Sequence, residues 1–110
     1  MTVIHRKLVR DKIPQIIEGS GKTCVTRSLS DAEYLAALDA KLQEELNEYQ
    51  ADKSMEELAD LLEVMMAVAA ARGHTFAEVE ALRREKAEKR GGFRERIWLE
   101  SVSEGVKRSF

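Results

Sequence analysis

Two groups of acids stand close together in this chain: Glu44, Glu45 and Glu48, then, after a short turn, Glu57 and Asp60. Helical residues three apart project side by side, so Glu45 and Glu48 share one face, as do Glu57 and Asp60 on the next helix. A tight connection lays the end of the first helix beside the start of the second, and four carboxylates then converge. Ionised carboxylates brought within a few Å repel one another and lose hydration, so either their pKa values rise or a cation sits among them. Hard oxygen ligands without His or Cys favour Mg²⁺ or Mn²⁺. A di-iron bundle would need Glu-x-x-His, and neither His5 nor His74 has a glutamate three residues before it.

Simpler roles exist for some of these acids. Glu57 forms a Ser-x-x-Glu capping box with Ser54, and taken alone that explains it. Glu44, Glu45 and Glu48 would pass for a solvated face paired with Lys41. Asp60 is harder to explain away, because aspartate is a poor helix-interior residue and this one lies beside an otherwise apolar run.

The elements that must position the acids announce themselves by capping boxes at Ser30 and Glu33, Ser54 and Glu57, and Thr75 and Glu78. They predict helices over residues 31–51, 55–72 and 76–90, the last stopped by Gly91 and Gly92. Short connections make consecutive helices antiparallel neighbours. A brief helix over residues 11–18 precedes them, with Pro14 in its first turn and Asp11 a candidate cap, followed by an extended stretch over 23–27. Residues 96–102 read as a short strand or an extended arm. The expected fold is therefore all-α: an antiparallel helix bundle with a short N-terminal helix and an extended C-terminal arm, in a single domain spanning residues 1–110.

Leu35, Leu38, Leu42, Leu46 and Tyr49 give the first long helix a single apolar stripe. The second carries one stripe at Met55, Leu58, Leu62, Met65, Met66 and Ala69 and another at Leu61, Val64 and Val68. A helix apolar nearly all round is sandwiched, so a homodimer or dimer of dimers, packed on the Leu61, Val64 and Val68 side, is expected to complete the bundle.

Composition narrows the class. The 110 residues are 44% hydrophobic and 35% charged with a formal net charge of −2, which argues against disorder and against non-specific attraction to nucleic acid or anionic membrane. Cys24 is the single cysteine, so no intramolecular disulfide forms and a cytoplasmic setting is the easier one. The N-terminal residues lack an apolar signal core, and Asp60 and Glu63 interrupt the longest apolar stretch, so no membrane span is expected.

The pattern Glu44-Glu45-x-x-Glu48 followed by Glu57-x-x-Asp60 resembles the signature of the all-α nucleoside triphosphate pyrophosphohydrolases, the superfamily of the MazG-like enzymes. The block Lys7-Leu-Val-Arg-Asp-Lys-Ile-Pro14 and the later Arg90-Gly-Gly-Phe93 resemble its phosphoribosyl-ATP pyrophosphohydrolase-like subgroup, and together the blocks span residues 7 to 93. The resemblance implies that Glu45, Glu48, Glu57 and Asp60 hold Mg²⁺. It also implies hydrolysis of a nucleoside triphosphate between its α- and β-phosphates, leaving a monophosphate and pyrophosphate. Metal ions there neutralise phosphate charge and activate the attacking water. Glu44 matches the first acid of the motif and is assigned as the base, or as a group supporting the ligands from behind.

Phosphate oxygens need cationic donors, and Arg83, Lys86 and Arg90 follow one another along a face of the third long helix. The alternative is that Lys86, Lys89 and Arg90 complement that helix's C-terminal dipole. Arg10 and Lys12 are further substrate-binding candidates, and Phe93 and Trp98 are aromatic enough to stack on a base. The leading expectation is nucleotide-pool house-cleaning. Phosphoribosyl-ATP hydrolysis in histidine synthesis shares the chemistry, and a non-enzymatic dimeric helix bundle is the rival from another class.

Overall fold

A computed structural model describes residues 1–105. Four helices account for all the regular structure among them: α1 (Ile13–Gly19), α2 (Asp31–Asp52), α3 (Met55–Ala71) and α4 (Phe76–Arg90). No strand forms over 23–27 or 96–102. Residues 106–110, which follow the expected arm, lie outside the described residues.

The three long helices start where the hydroxyl residues predict, with Ser30, Ser54 and Thr75 each accepting a hydrogen bond from the backbone N–H three residues on. Only Ser30 heads a complete capping box, in which Glu33 reaches back to the Ser30 N–H at 3.1 Å. Glu78 turns instead to His74 Nδ1, at 2.7 Å. The short helix begins later than expected: Lys12 is its N-cap, no side chain caps it, and Asp11 lies outside it.

Helices α2 and α3 form an antiparallel hairpin closed by Lys53 and Ser54. Lys53 takes the left-handed conformation, φ 58°, and its N–H ends α2 on the Tyr49 carbonyl at 2.7 Å. That tight reversal sets Glu45 opposite Glu57 and Asp60, while Arg72 reaches Asp39 at 3.6 Å near the far end.

The stripe of α3 turned to α2 is the opposite of the one expected. Val64 is buried, and Leu61 lines a shallow hollow with Leu42 and Leu46 of α2. The side left open carries Met55, Leu58, Leu62, Met65 and Met66. Both stripes are apolar, so periodicity alone could not choose between them; the carboxylates do. Glu57 and Asp60 lie close to the Leu61–Val64 line, and turning them to Glu45 turns that line inward.

Helix α4 touches α3 where Ala69, Arg72, Val79 and Leu82 meet, packs on no other helix among the described residues, and buries no side chain. The apolar residues buried in the described chain are only Leu38, Val64 and Ala69. That is a small core for a protein of this length, and it leaves much of the apolar surface of α3 and of the C-terminal residues uncovered.

Candidate metal centre

Glu45 is the pivot of the acidic cluster. At 6% exposure it is the one buried charged residue among the described residues, and it belongs to two groups of acids. One carboxylate oxygen from each of Glu45, Glu57 and Asp60 lies within 4.8 Å of the others, and the same holds for Glu44, Glu45 and Glu48. All four expected ligands are therefore brought together around one residue, with Glu44 beside them and Glu48 at the exposed rim.

Local sequence explains the placement. Glu45 sits on the shoulder of the α2 stripe, one turn beyond Lys41 and Leu42, so hairpin packing carries it inward. Glu57 is directed by the cap: its N–H bonds Ser54 Oγ at 3.2 Å, yet its own carboxylate does not return to the Ser54 N–H. The box is half made, and the free half joins the cluster.

Cations already stand around these acids. Lys41 Nζ lies 3.2 Å from Glu45 and 3.3 Å from Glu44, Lys7 lies 3.6 Å from Glu44, and Arg10 donates to Asp60 at 2.7 Å. Five carboxylates thus face three cations, a deficit of two positive charges. Burial pushes the Glu45 carboxyl above its ordinary range; Lys41 opposes this and neighbouring Glu48 adds to it. Lys41 is itself raised, the pull of Glu45 and Glu44 overcoming the effect of burial.

Glu45 Oε2 and Glu57 Oε2 are buried with no hydrogen-bond donor. A buried carboxylate oxygen without a donor is costly, and a cation relieves it. All the candidate ligands offer hard oxygen, with no thiol or imidazole among them, and the uncompensated charge equals that of one divalent ion. The donor set is of the kind that a hard divalent cation takes.

The basic candidates are distributed differently. Arg10 is at the cluster, with one guanidinium nitrogen on Asp60. Lys12 caps α1. Arg83 is bound by Glu80 of its own helix at 2.7 and 2.9 Å, and neither Lys86 nor Arg90 makes an ion pair among the described residues. None of these three meets a cluster carboxylate within this chain. Phe93 and Trp98 are exposed. Lys7 was missed; its signal was its place in the same N-terminal block as Arg10.

Fold and site together define an all-helical protein whose central hairpin holds a carboxylate cluster suited to a divalent cation. No helix among the described residues is long and apolar enough to cross a membrane. No protein-family model matches the chain, and no solved structure matches it. Among curated proteins it is similar to an uncharacterized protein of Mycolicibacterium smegmatis, 62% identical over 45 residues, which are 41% of this chain and 46% of that protein. The match thus spans less than half the length of that relative.

Proposed function

We propose that the chain is a Mg²⁺-dependent nucleoside triphosphate pyrophosphohydrolase of the nucleotide-pool house-cleaning kind, acting in the cytoplasm as a homodimer or dimer of dimers. The observation that carries this is the pair of buried, donorless oxygens on Glu45 and Glu57 inside a group of acids that also includes Asp60. Glu45, Glu48, Glu57 and Asp60 would hold the metal. When bound, it would neutralise phosphate charge and lower the pKa of the attacking water.

The remaining residues have roles that follow from their contacts. Lys41 and Lys7 hold the Glu44 carboxylate beside the ligands, a position suited to taking a proton from the attacking water or to steadying Glu45 from behind. Arg10 uses one nitrogen on Asp60 and keeps other N–H groups for a phosphate oxygen. Arg83, Lys86 and Arg90 meet no cluster carboxylate of their own chain, so in a dimer they would serve the triphosphate at the partner's cluster. The open α3 face supports the dimer, because five large apolar side chains on one helix are otherwise left to water.

Product analysis over a panel of ordinary and modified nucleoside triphosphates tests the reaction. Monophosphate and pyrophosphate are expected as products, in equal amounts. A chain that turns over none of them, or turns them over as well with Asp60→Asn, is not this enzyme.

A further inference from the structure

Beyond α4 the chain carries a second set of apolar side chains with nothing to cover them. Phe93, Ile97, Trp98, Leu99 and Val102 are all exposed, Trp98 at 81%, and every described residue from 91 onward is exposed. The open face of α3 has the same unmet need. We propose that residues 93–102 form an arm that docks along the Met55, Leu58, Leu62, Met65 and Met66 face of a second copy of this chain, and receives that copy's arm in exchange.

Length and charge both favour this occupant. From Met55 to Met66 the stripe rises about 17 Å along the helix axis. Drawn out as a strand, Ile97 to Val102 covers about the same 17 Å. Helix α3 has no basic residue, and Glu56 and Glu63 flank this face, while Glu57 and Asp60 turn away from it to Glu45. The arm opens with Arg94, Glu95 and Arg96, a net positive end, and carries Glu100 toward its other end. Opposite charges then fix its direction: the arginine end lies by the start of α3, Ile97 near Leu58 and Val102 near Met66. The arm does not lie on its own chain, and at the other terminus Val3 and Ile4 offer too short an apolar run to cover the face. Two arms exchanged between two identical faces make a closed, symmetric pair.

This rests on the dimer proposed above and not on the hydrolytic activity. Full-length chains are made in two pools, both with Cys24→Ser, one carrying Leu58→Cys and the other, tagged, carrying Ile97→Cys. After mixing and oxidation, a disulfide between tagged and untagged chains is expected, in large excess over the pairing of Ile97→Cys with Met66→Cys. The unsubstituted chain gives a second measurement that cannot be spoiled by misfolding: Trp98 is the sole tryptophan, and its emission should move to the blue with rising concentration, in step with dimer formation by sedimentation. A dimer with no mixed disulfide and a solvent-exposed Trp98 overturns the arm and leaves the dimer standing. A chain carrying both cysteines that cross-links within itself also overturns it. A monomer at every concentration removes the dimer, and the arm with it.

Discussion

Arg10 donates to Asp60 across fifty residues of sequence, at 2.7 Å. The contact ties the N-terminal block directly to the acidic pair on α3. It also gives Asp60 a cation of its own, in competition with any metal at the cluster.

Arg10→Ala should therefore separate binding from turnover. Both side chains are about half exposed, so the pair contributes roughly 1 kcal/mol or less to stability and the melting temperature should hardly move. With Asp60 released, Mg²⁺ should bind more tightly by calorimetric titration. Turnover should nevertheless fall, by roughly 100-fold if Arg10 is the phosphate donor proposed for it. Weaker Mg²⁺ binding in the variant would mean that Arg10 positions Asp60 rather than competing for it.

Glu45→Gln should stabilise the metal-free protein at pH 7. Burial raises the carboxyl's folded-state pKa above its unfolded value, so the ionised form is disfavoured by folding at neutrality. Stability should rise as pH falls from neutral through the folded pKa, and the gain is complete below the unfolded value of about 4.3. A neutral amide removes that cost. Thermal melting with and without Mg²⁺ checks it: the wild type should gain stability from the ion and the variant should not. A large loss of stability in the variant would show that the Lys41 contact outweighs the burial.

Glu33 behaves in the opposite sense. The Arg27 hydrogen bond, followed by the Ser30 N–H and hydroxyl, lowers its pKa to about 2. Its contribution is present above the unfolded value of about 4.3 and is lost as pH falls from there through the folded one. Arg27→Ala should flatten acid unfolding over that window, and Ser30→Ala should cost about 1 kcal/mol at neutral pH. Urea titrations across pH would show both.

The two apolar environments predict different losses. Leu38, at 2% exposure, is the best buried apolar side chain described, and Leu38→Ala should cost about 2–5 kcal/mol. Leu62 lies on the open side of α3, where Leu62→Glu should leave helix content intact and yield a monomer. Sedimentation and circular dichroism distinguish the outcomes. A dimer that tolerates the glutamate would place its interface elsewhere.

The long helices were legible because their starts are written in single residues. Ser30, Ser54 and Thr75 place them, and their expected ends differ from the observed ones by at most one residue. The gathering of Glu45, Glu48, Glu57 and Asp60 was legible from three-residue spacing across a tight turn. Other features depend on tertiary choices that spacing does not encode. A Ser-x-x-Glu pattern reads the same whether the glutamate returns to the cap, as Glu33 does, or turns away, as Glu57 does. A basic stripe reads the same whether it faces phosphate or, as with Arg83, its own Glu80. Helix α4 has too few large apolar residues for its pattern to dictate how it packs.

The most direct test of the carboxylate cluster as a metal centre for hydrolysis is pyrophosphate release measured across a range of Mg²⁺ concentrations, for the full-length chain and for Glu57→Gln. The expected result is a saturable dependence on Mg²⁺, displaced to higher concentration in the variant by roughly 10–100-fold. Release that needs no Mg²⁺, or that follows the same Mg²⁺ curve in both proteins, would contradict it.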